Sequence, residues 1–244
     1  YEVIVVDNNS GDDCESIVKN NFPSVRFIQA GKNYGWAKGN NIGIKEANAK
    51  YIVTLNPDTH FIEPIFEKWI NFMDENEDIA MSTVQLICPD GTIQPGAWKF
   101  YRLFTPIYQR LTFLQKLPWV KTHLNEFVMK HWDRKTTSYV DWVQGSCLMA
   151  RSSSLEEIGL IDERFFLYFT DLEWCRRAWE KGYKVCYYSV PKIIHYYHRE
   201  SAGRLGLRSL LNKSTRIHIR DWYKYLLKYY NNHKYHPSEE HTFA

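Results

Sequence analysis

Acidic and amide side chains recur in this chain where short apolar runs end. The segments are Val5-Val6-Asp7-Asn8-Asn9-Ser10, Asn33-Tyr34-Gly35-Trp36-Ala37, Leu55-Asn56-Pro57-Asp58-Thr59 and Phe169-Thr170-Asp171-Leu172-Glu173. In open α/β sheets, ligands bind beyond the carboxyl ends of the strands, where such groups would gather. Asp7 can accept the imide N–H of uracil or thymine, although Asp-Asn-Asn-Ser-Gly is also ordinary turn chemistry. Asn33, Gly35, Gly39 and Asn40 lie at a helix entrance, whose backbone N–H groups and dipole suit a diphosphate or ribose. The spacing is not G-x-G-x-x-G, and an Asn/Gly helix-entry loop explains it equally well. Asp58, at a strand end, can hold a hard divalent cation against a diphosphate; Asn-Pro-Asp is also a strong turn.

Thr170 and Glu173 have the spacing of a capping box, which would make Thr170 the helix cap. Asp171 in that first turn can act as a general base, kept ionised by the helix N-terminus. His195 follows an apolar run, close to His198, and could join Asp58 as a metal ligand or be a structural histidine. Asp141-Trp142 with Gly145-Ser146 offers an aromatic face and a carboxylate for a saccharide, or simply a core Trp and a loop Asp.

The elements that must position these groups are legible in outline. Strands are predicted over Glu2–Val6, Val25–Ile28, Tyr51–Leu55 and Ala80–Ile87, with helices over Asp13–Asn21, Trp36–Ala49 and Pro64–Glu75. This alternation implies an α/β, mainly parallel sheet flanked by helices. It breaks between residues 97 and 135, where aromatic and basic residues mix in an inserted helical or irregular element with no sheet strand. Strands return at Tyr139–Val143, Cys147–Ala150, Tyr183–Tyr188 and Ile193-Ile194, and a helix over Asp171–Lys181 stops at Gly182. A long amphipathic helix spans Leu207–Tyr230. Arg216, Arg220, Lys224 and Lys228 form one stripe on it, and Ile219, Trp222, Tyr223, Leu226 and Tyr230 form another. The apolar stripe is expected to dock on the domain and the basic one to touch an anionic membrane surface.

The 244 residues suit one substantial domain with an appendage. A net charge of +3 says little about partners. Five cysteines without a C-x-x-C pair favour reduced thiols in a cytoplasmic compartment over a zinc ribbon or disulfide framework. No apolar run could span a bilayer, no signal peptide is visible and no nucleic-acid reader motif is present.

Taken together, these segments resemble family-2 glycosyltransferases of GT-A fold, in particular the bacterial rhamnosyltransferase-like branch. The similarity runs through Glu2–Ser10, Asn33–Asn41, Leu55–Thr59, Val140–Ser146, Ile161–Arg176 and Gly182–Val185. It implies a GT-A domain over residues 1–203, with 97–135 as an acceptor-side insertion and 204–244 as a basic, aromatic helical extension. The implied reaction is an inverting transfer from a dTDP- or UDP-sugar, with dTDP-rhamnose favoured. The acceptor would be a saccharide, free or lipid-linked, in cell-surface polysaccharide synthesis at the inner face of the membrane.

Carried onto this sequence, Asp7 reads the base, and Asn9, Asn33, Gly35, Asn40 and Asn56 complete the donor side. Asp58 and His195 hold Mg2+ or Mn2+, and Asp171 is the base. Asp141, Trp142 and Glu173 face the acceptor. Two features depart from the family pattern. Thr170 stands where Glu is usual. The strand, loop and helix that normally precede Glu2 are absent from this sequence, which is therefore read as a fragment with an exposed strand edge and an incomplete base pocket. Two other classes compete: a nucleotidyltransferase, which would carry a basic Gly-rich triphosphate loop, and a degenerate, non-catalytic sugar- or membrane-binding module.

Overall fold

The computed structural model describes residues 1–196 and 212–230. The β-branched run at the start forms β1 (Ile4–Asp7), which pairs in parallel with β2 (Arg26–Gln29) across helix α1 (Cys14–Asn21). Helix α2 (Gly35–Glu46) leads to β3 (Tyr51–Leu55), followed by the short β4 (Thr59–Phe61), helix α3 (Phe66–Glu75) and β5 (Ile79–Ile87). The insertion contains β6 (Ala97–Trp98), α4 (Thr105–Arg110) and α5 (Pro118–Phe127). Then come β7 (Ser138–Tyr139), β8 (Trp142–Val143), β9 (Cys147–Arg151), α6 (Ser152–Ile158) and α7 (Thr170–Glu180). Strand β10 (Lys184–His195) and helix α8 (Lys213–Lys228) complete the described chain.

The central sheet has the order β3-β9-β5-β10-β4, with β7 pairing on β10. Strand β9 runs antiparallel between β3 and β5, so β3, β5 and β10 share one direction. Their carboxyl ends therefore lie along one edge. The pair β1–β2 forms its own small sheet, and β3 pairs on one side only, with β9. Along β9 the side chains alternate between two cores. Leu148 and Ala150 join Ala37, Ile44, Leu172 and Trp174 on the α2/α7 face. Cys147 and Met149 join Trp69, Phe72 and Met73 of α3 on the other. Burial pushes the thiols of Cys147, Cys175 and Cys186 up, so they remain protonated packing groups.

Several expectations change in detail. The two strands foreseen after Gly182 are one, β10; its register on β5 shifts between Tyr188 and Lys192, where Pro191 cannot donate to the ladder. The strand foreseen over Tyr139–Val143 is split into β7 and β8, which pair with different partners. The insertion does contain a strand, since β6 pairs with β8. Strand β4 and helix α6 were not foreseen.

Thr170 is not a cap. Phe169 occupies the position before α7 in the left-handed conformation (φ 65°), and no side chain caps the helix. The Thr170 hydroxyl turns back to the Leu167 carbonyl instead, at 3.4 Å.

Helix α8 docks, but through a face rotated from the expected stripe. Thr215, Asp221, Tyr225 and Tyr229 are buried, whereas Ile219, Tyr223 and Tyr230 are exposed. Polar pairing sets this rotation. Asp221 Oδ2 accepts the backbone N–H groups of Phe166, Leu167 and Tyr168 at 3.1, 3.1 and 3.2 Å. Arg176 of α7 donates to the Tyr225 hydroxyl at 2.9 Å and lies 3.8 Å from the Tyr229 ring centroid. Of the basic stripe, Lys224 donates to the Arg164 carbonyl and Lys228 pairs with Asp162 and Glu173. The first residues of the helix foreseen from Leu207, the 203/204 boundary and His198 lie outside the described residues.

Asp221→Ala leaves three loop N–H groups without their acceptor. The loss is expected to cost about 3 kcal/mol, or roughly 6–12 °C in Tm for a chain of this size. Asp221→Asn keeps one acceptor oxygen and should lose about half as much. A thermal melt that leaves the alanine variant within about 2 °C of the parent would mean the clamp carries little stability.

Candidate active site

The loop after β1 meets the loop that opens α2. Asn8 accepts the Tyr34 N–H and donates to the Gly35 carbonyl, both at 2.9 Å, and Asn33 Oδ1 accepts the Gly35 N–H at 2.9 Å. Gly35 has φ +82°, and a Cβ there would stand 2.3 Å from the Phe166 carbonyl oxygen, so only glycine fits. That carbonyl accepts the Trp36 N–H at 2.6 Å. Asn40 is turned into its own helix, donating to the Trp36 carbonyl at 2.8 Å. Asp7 accepts the Ser10 N–H at 2.8 Å, a bond that holds its carboxyl below the usual range and so keeps it ionised. Asn9 beside it is exposed and left-handed, with φ 65°.

Trp36 links this donor side to the next loop, its indole N–H donating to Asn56 Oδ1 at 3.1 Å. Two residues on, Asp58 faces His195, because β4 pairs antiparallel with the end of β10 and sets Thr59 opposite His195. Asp58 Oδ1 lies 3.3 Å from His195 Nε2, is buried and makes no hydrogen bond among the described residues. Gln94 Oε1 sits 3.0 Å from His195 Nδ1. Where Gln94 accepts from the ring, Nδ1 carries the proton and Nε2 presents a lone pair. Burial outweighs the pull of Asp58 and pushes His195 below its ordinary value, favouring the neutral ring. In that tautomer Nε2 and Asp58 Oδ1 could share a cation, whereas in the other Nε2–H donates to Asp58. Among the described residues no group of three or more His, Cys, Asp or Glu side chains that could hold a metal ion converges.

Asp171 stands in the first turn of α7. Its Oδ2 accepts the Gly145 N–H at 3.0 Å and its Oδ1 accepts the Leu172 N–H at 2.9 Å. Burial pushes the carboxyl up while these N–H groups pull it back, and the net direction is up. Gly145 is the hinge of this arrangement: a Cβ there would lie 2.5 Å from the Trp36 ring and 3.4 Å from the Asp171 Cβ. Asn56 N–H reaches the Ser146 carbonyl at 2.8 Å, and the Ser146 hydroxyl is buried with no hydrogen-bond partner among the described residues. Asp171, Trp36, Asn56 and the Asp58–His195 pair thus meet along one sheet edge.

The three expected acceptor residues are placed differently from one another. Trp142 stacks on Trp98 with centroids 4.5 Å apart, and Tyr101 stands between Trp142 and Phe169, forming an aromatic wall beside α7. Tyr168 and His218 extend it, their centroids 4.7 Å apart; burial, helped by Arg110, pushes His218 down to about 4. Asp141 is buried with its carboxylate accepting the Phe100 N–H at 2.6 Å, which ties the insertion down. The Glu173 carboxylate is fully buried; its Oε1 accepts from Arg177 and Tyr229 at 2.9 Å each and from Lys228. The second carboxylate oxygen, Oε2, is buried with no hydrogen-bond partner among the described residues.

Sequence reading missed Asn8, Gln94 and Asp221. Asn8 stood inside a quoted segment but was not separated from its neighbours. Gln94 and Asp221 carry no motif, because their partners are distant in sequence.

The chain is similar to several known proteins. The chain is 26% identical over 208 residues to a low-salt glycan biosynthesis hexosyltransferase, Agl10, of Haloferax volcanii; the match covers 80% of this chain and 58% of that protein. It is 23% identical over 234 residues to the N-acetylglucosaminyl-diphospho-decaprenol L-rhamnosyltransferase of Mycobacterium tuberculosis, covering 90% of this chain and 74% of the relative. Identity to the rhamnosyltransferase WbbL of Escherichia coli is 24% over 237 residues, covering 93% and 83%. The fold superposes on the crystal structure of GalNAc-T7 with UDP, GalNAc and Mn2+ at a TM-score of 0.63 and 12% identity, covering 96% of this chain and 43% of that one. The architecture is therefore the GT-A fold. Residues 1–137, more than half of the chain, match the model of one family, and the chain belongs to glycosyl transferase family 2.

Proposed function

We propose that this chain carries the catalytic domain of an inverting glycosyltransferase that uses a dTDP- or UDP-sugar, with dTDP-rhamnose favoured. The observation that carries this reading is the convergence of Asp171, the Trp36–Asn56 contact and the Asp58–His195 pair on one sheet edge. The rhamnosyltransferase relatives support the choice of sugar. The Mycobacterium relative's diphospho-decaprenol substrate supports a lipid-linked saccharide acceptor.

In this reading Asp7 pairs with the imide of the base, and the loop from Asn33 to Gly35 receives the ribose and diphosphate. Asn9, Asn40 and Asn56 flank that site. Asp58 and His195 would hold Mg2+ or Mn2+, whose charge would offset that developing on the departing diphosphate; GalNAc-T7, of the same fold, was solved with Mn2+. The acceptor hydroxyl oxygen attacks the anomeric carbon as its bond to the diphosphate breaks, and Asp171 takes the hydroxyl proton. The aromatic wall of Trp142, Trp98 and Tyr101 fits the apolar face of a sugar ring. Asp141 and Glu173 shape that side by holding the insertion and α8.

Action at the inner face of the membrane belongs to the same reading. No helix among the described residues is long and apolar enough to cross a bilayer. With Lys224 and Lys228 committed to protein groups and Arg220 paired with Asp221, the exposed cations of α8 are Lys213 and Arg216.

Four outcomes are expected. Calorimetric titration should show binding of dTDP or UDP that depends on Mn2+; failure of both nucleotides would remove the transferase reading. Asp171→Asn should still bind nucleotide but lose transfer by about 10²–10⁴-fold. Because burial raises Asp171 above 3.8, its basic form is depleted as pH falls through that raised value, so kcat should fall on the acid side with a midpoint above 3.8; a pH-independent acid limb would exclude Asp171 as base. Gln94→Ala, which frees His195 to rotate, should weaken Mn2+-dependent nucleotide binding by about 10–100-fold, with metal-free binding unchanged.

A further inference from the structure

The insertion between β6 and β7 has an inner seam and a second apolar surface that no described residue covers. Thr105, Pro106, Val120 and Phe127 are buried. Asp141 and Trp142 fasten the start of the insertion to the sheet by accepting the Phe100 N–H and donating to the Lys99 carbonyl. Yet Phe104, Phe113 and Trp119 are 52%, 64% and 57% exposed, and Leu103 and Leu117 are exposed beside them. Such density is unusual on a free surface. Charge is equally biased. Residues 99–130 hold six Lys or Arg residues and a single acid, Glu126; Lys99 pairs with Asp141 and Arg102 with Glu126, while Lys116, Lys121 and Lys130 are exposed.

We propose that the α4–α5 element is a lipid-contacting face that seats this protein on an anionic bilayer. Chemistry decides between the possible occupants. Protein interfaces bury a charge-depleted centre in which Lys is scarce, whereas here Lys116 and Lys121 flank Trp119 within five residues in sequence. Large apolar side chains interleaved with Lys and Arg are what a headgroup–acyl boundary takes up: the rings enter the boundary and the cations meet lipid phosphates. Tryptophan in particular prefers that depth. Tyr108 supports Trp119 from behind in an edge-on contact, centroids 5.5 Å apart, so the indole is presented rather than collapsed.

Position gives the face a use. Tyr101, at the root of the insertion, packs on Phe169, the residue that opens the helix of Asp171. Seating the insertion on a membrane brings the aromatic wall to the bilayer surface, where the sugar of a lipid-linked acceptor would stand. That consequence rests on the transferase reading; the lipid contact itself does not. The surface is also distinct from α8, whose Lys224 and Lys228 are occupied by protein groups.

The test is co-sedimentation of the full chain with phosphatidylcholine vesicles, with and without phosphatidylglycerol. Wild type should bind the anionic vesicles and lose binding in high salt. The Phe113→Ser/Trp119→Ser pair should lower partition by about tenfold or more with Tm unchanged. Lys116→Gln/Lys121→Gln should lower it on anionic vesicles alone. An Ile219→Ser/Tyr223→Ser pair on α8 should have a smaller effect than the Phe113/Trp119 pair. The proposal is overturned if wild type ignores anionic vesicles, or if the α8 pair abolishes binding and the insertion pair does not. A concentration-dependent dimer dissolved by the Phe113/Trp119 changes, without vesicle binding, would instead make this a surface between copies. Titration of dTDP and UDP with Mn2+ on the same proteins separates the two readings: vesicle binding without nucleotide binding would sink the transferase alone.

Discussion

A single buried carboxylate, that of Asp221, organises the reactive edge. It accepts three consecutive N–H groups from the loop that ends at the left-handed Phe169. Such a loop has no regular partner for its amides, and leaving them dry and unpaired would cost more than the net value of each bond. Once held, the loop offers the Phe166 carbonyl to Trp36, and Trp36 offers its indole N–H to Asn56. The same loop feeds α7, so the Asp171 carboxylate arrives against Gly145. One ion thus sets the spacing between the nucleotide-side loops and the proposed base, and it comes from a helix outside the 1–137 span of the family match.

Glu173 extends the same logic inward. A fully buried carboxylate survives only with several donors, and Arg177, Lys228 and Tyr229 supply them. The aromatic rings of Tyr225 and Tyr229 cover Arg176, so two charged residues of α7 are sealed by α8. This explains why α8 is rotated from the face its hydropathy suggests: satisfying ions outweighs burying Ile219 and Tyr223, which stay in contact with solvent. The aromatic wall beside α7 is fastened by the Asp141 carboxylate through its hold on Phe100.

The Asp58–His195 pair is set up differently, by strand register. Strand β4 is only three residues long, yet its pairing with the end of β10 is what brings an aspartate and a histidine far apart in sequence within 3.3 Å. Gln94 then fixes the ring.

The sequence by itself determined the alternation of strands and helices and nominated residues for the edge. Local patterns carried that information: the β-branched runs before Asp7 and Asp58, the glycine that α2 needs at Gly35, and the stop at Gly182. These were enough to identify the family and to nominate Asp7, Asn33, Asp58, Asp171 and His195. Tertiary structure decided what depends on partners distant in the chain. It set β9 antiparallel between β3 and β5, joined two strands across Pro191, turned Thr170 away from capping, and committed Glu173 and Asp141 to internal ion and hydrogen-bond networks. Periodicity records which residues prefer to be dry but not which buried ion must meet which donor. The orientation of α8, the roles of Asp221 and Gln94, and the outward aromatic face of the insertion follow from that second condition, which only the folded chain satisfies.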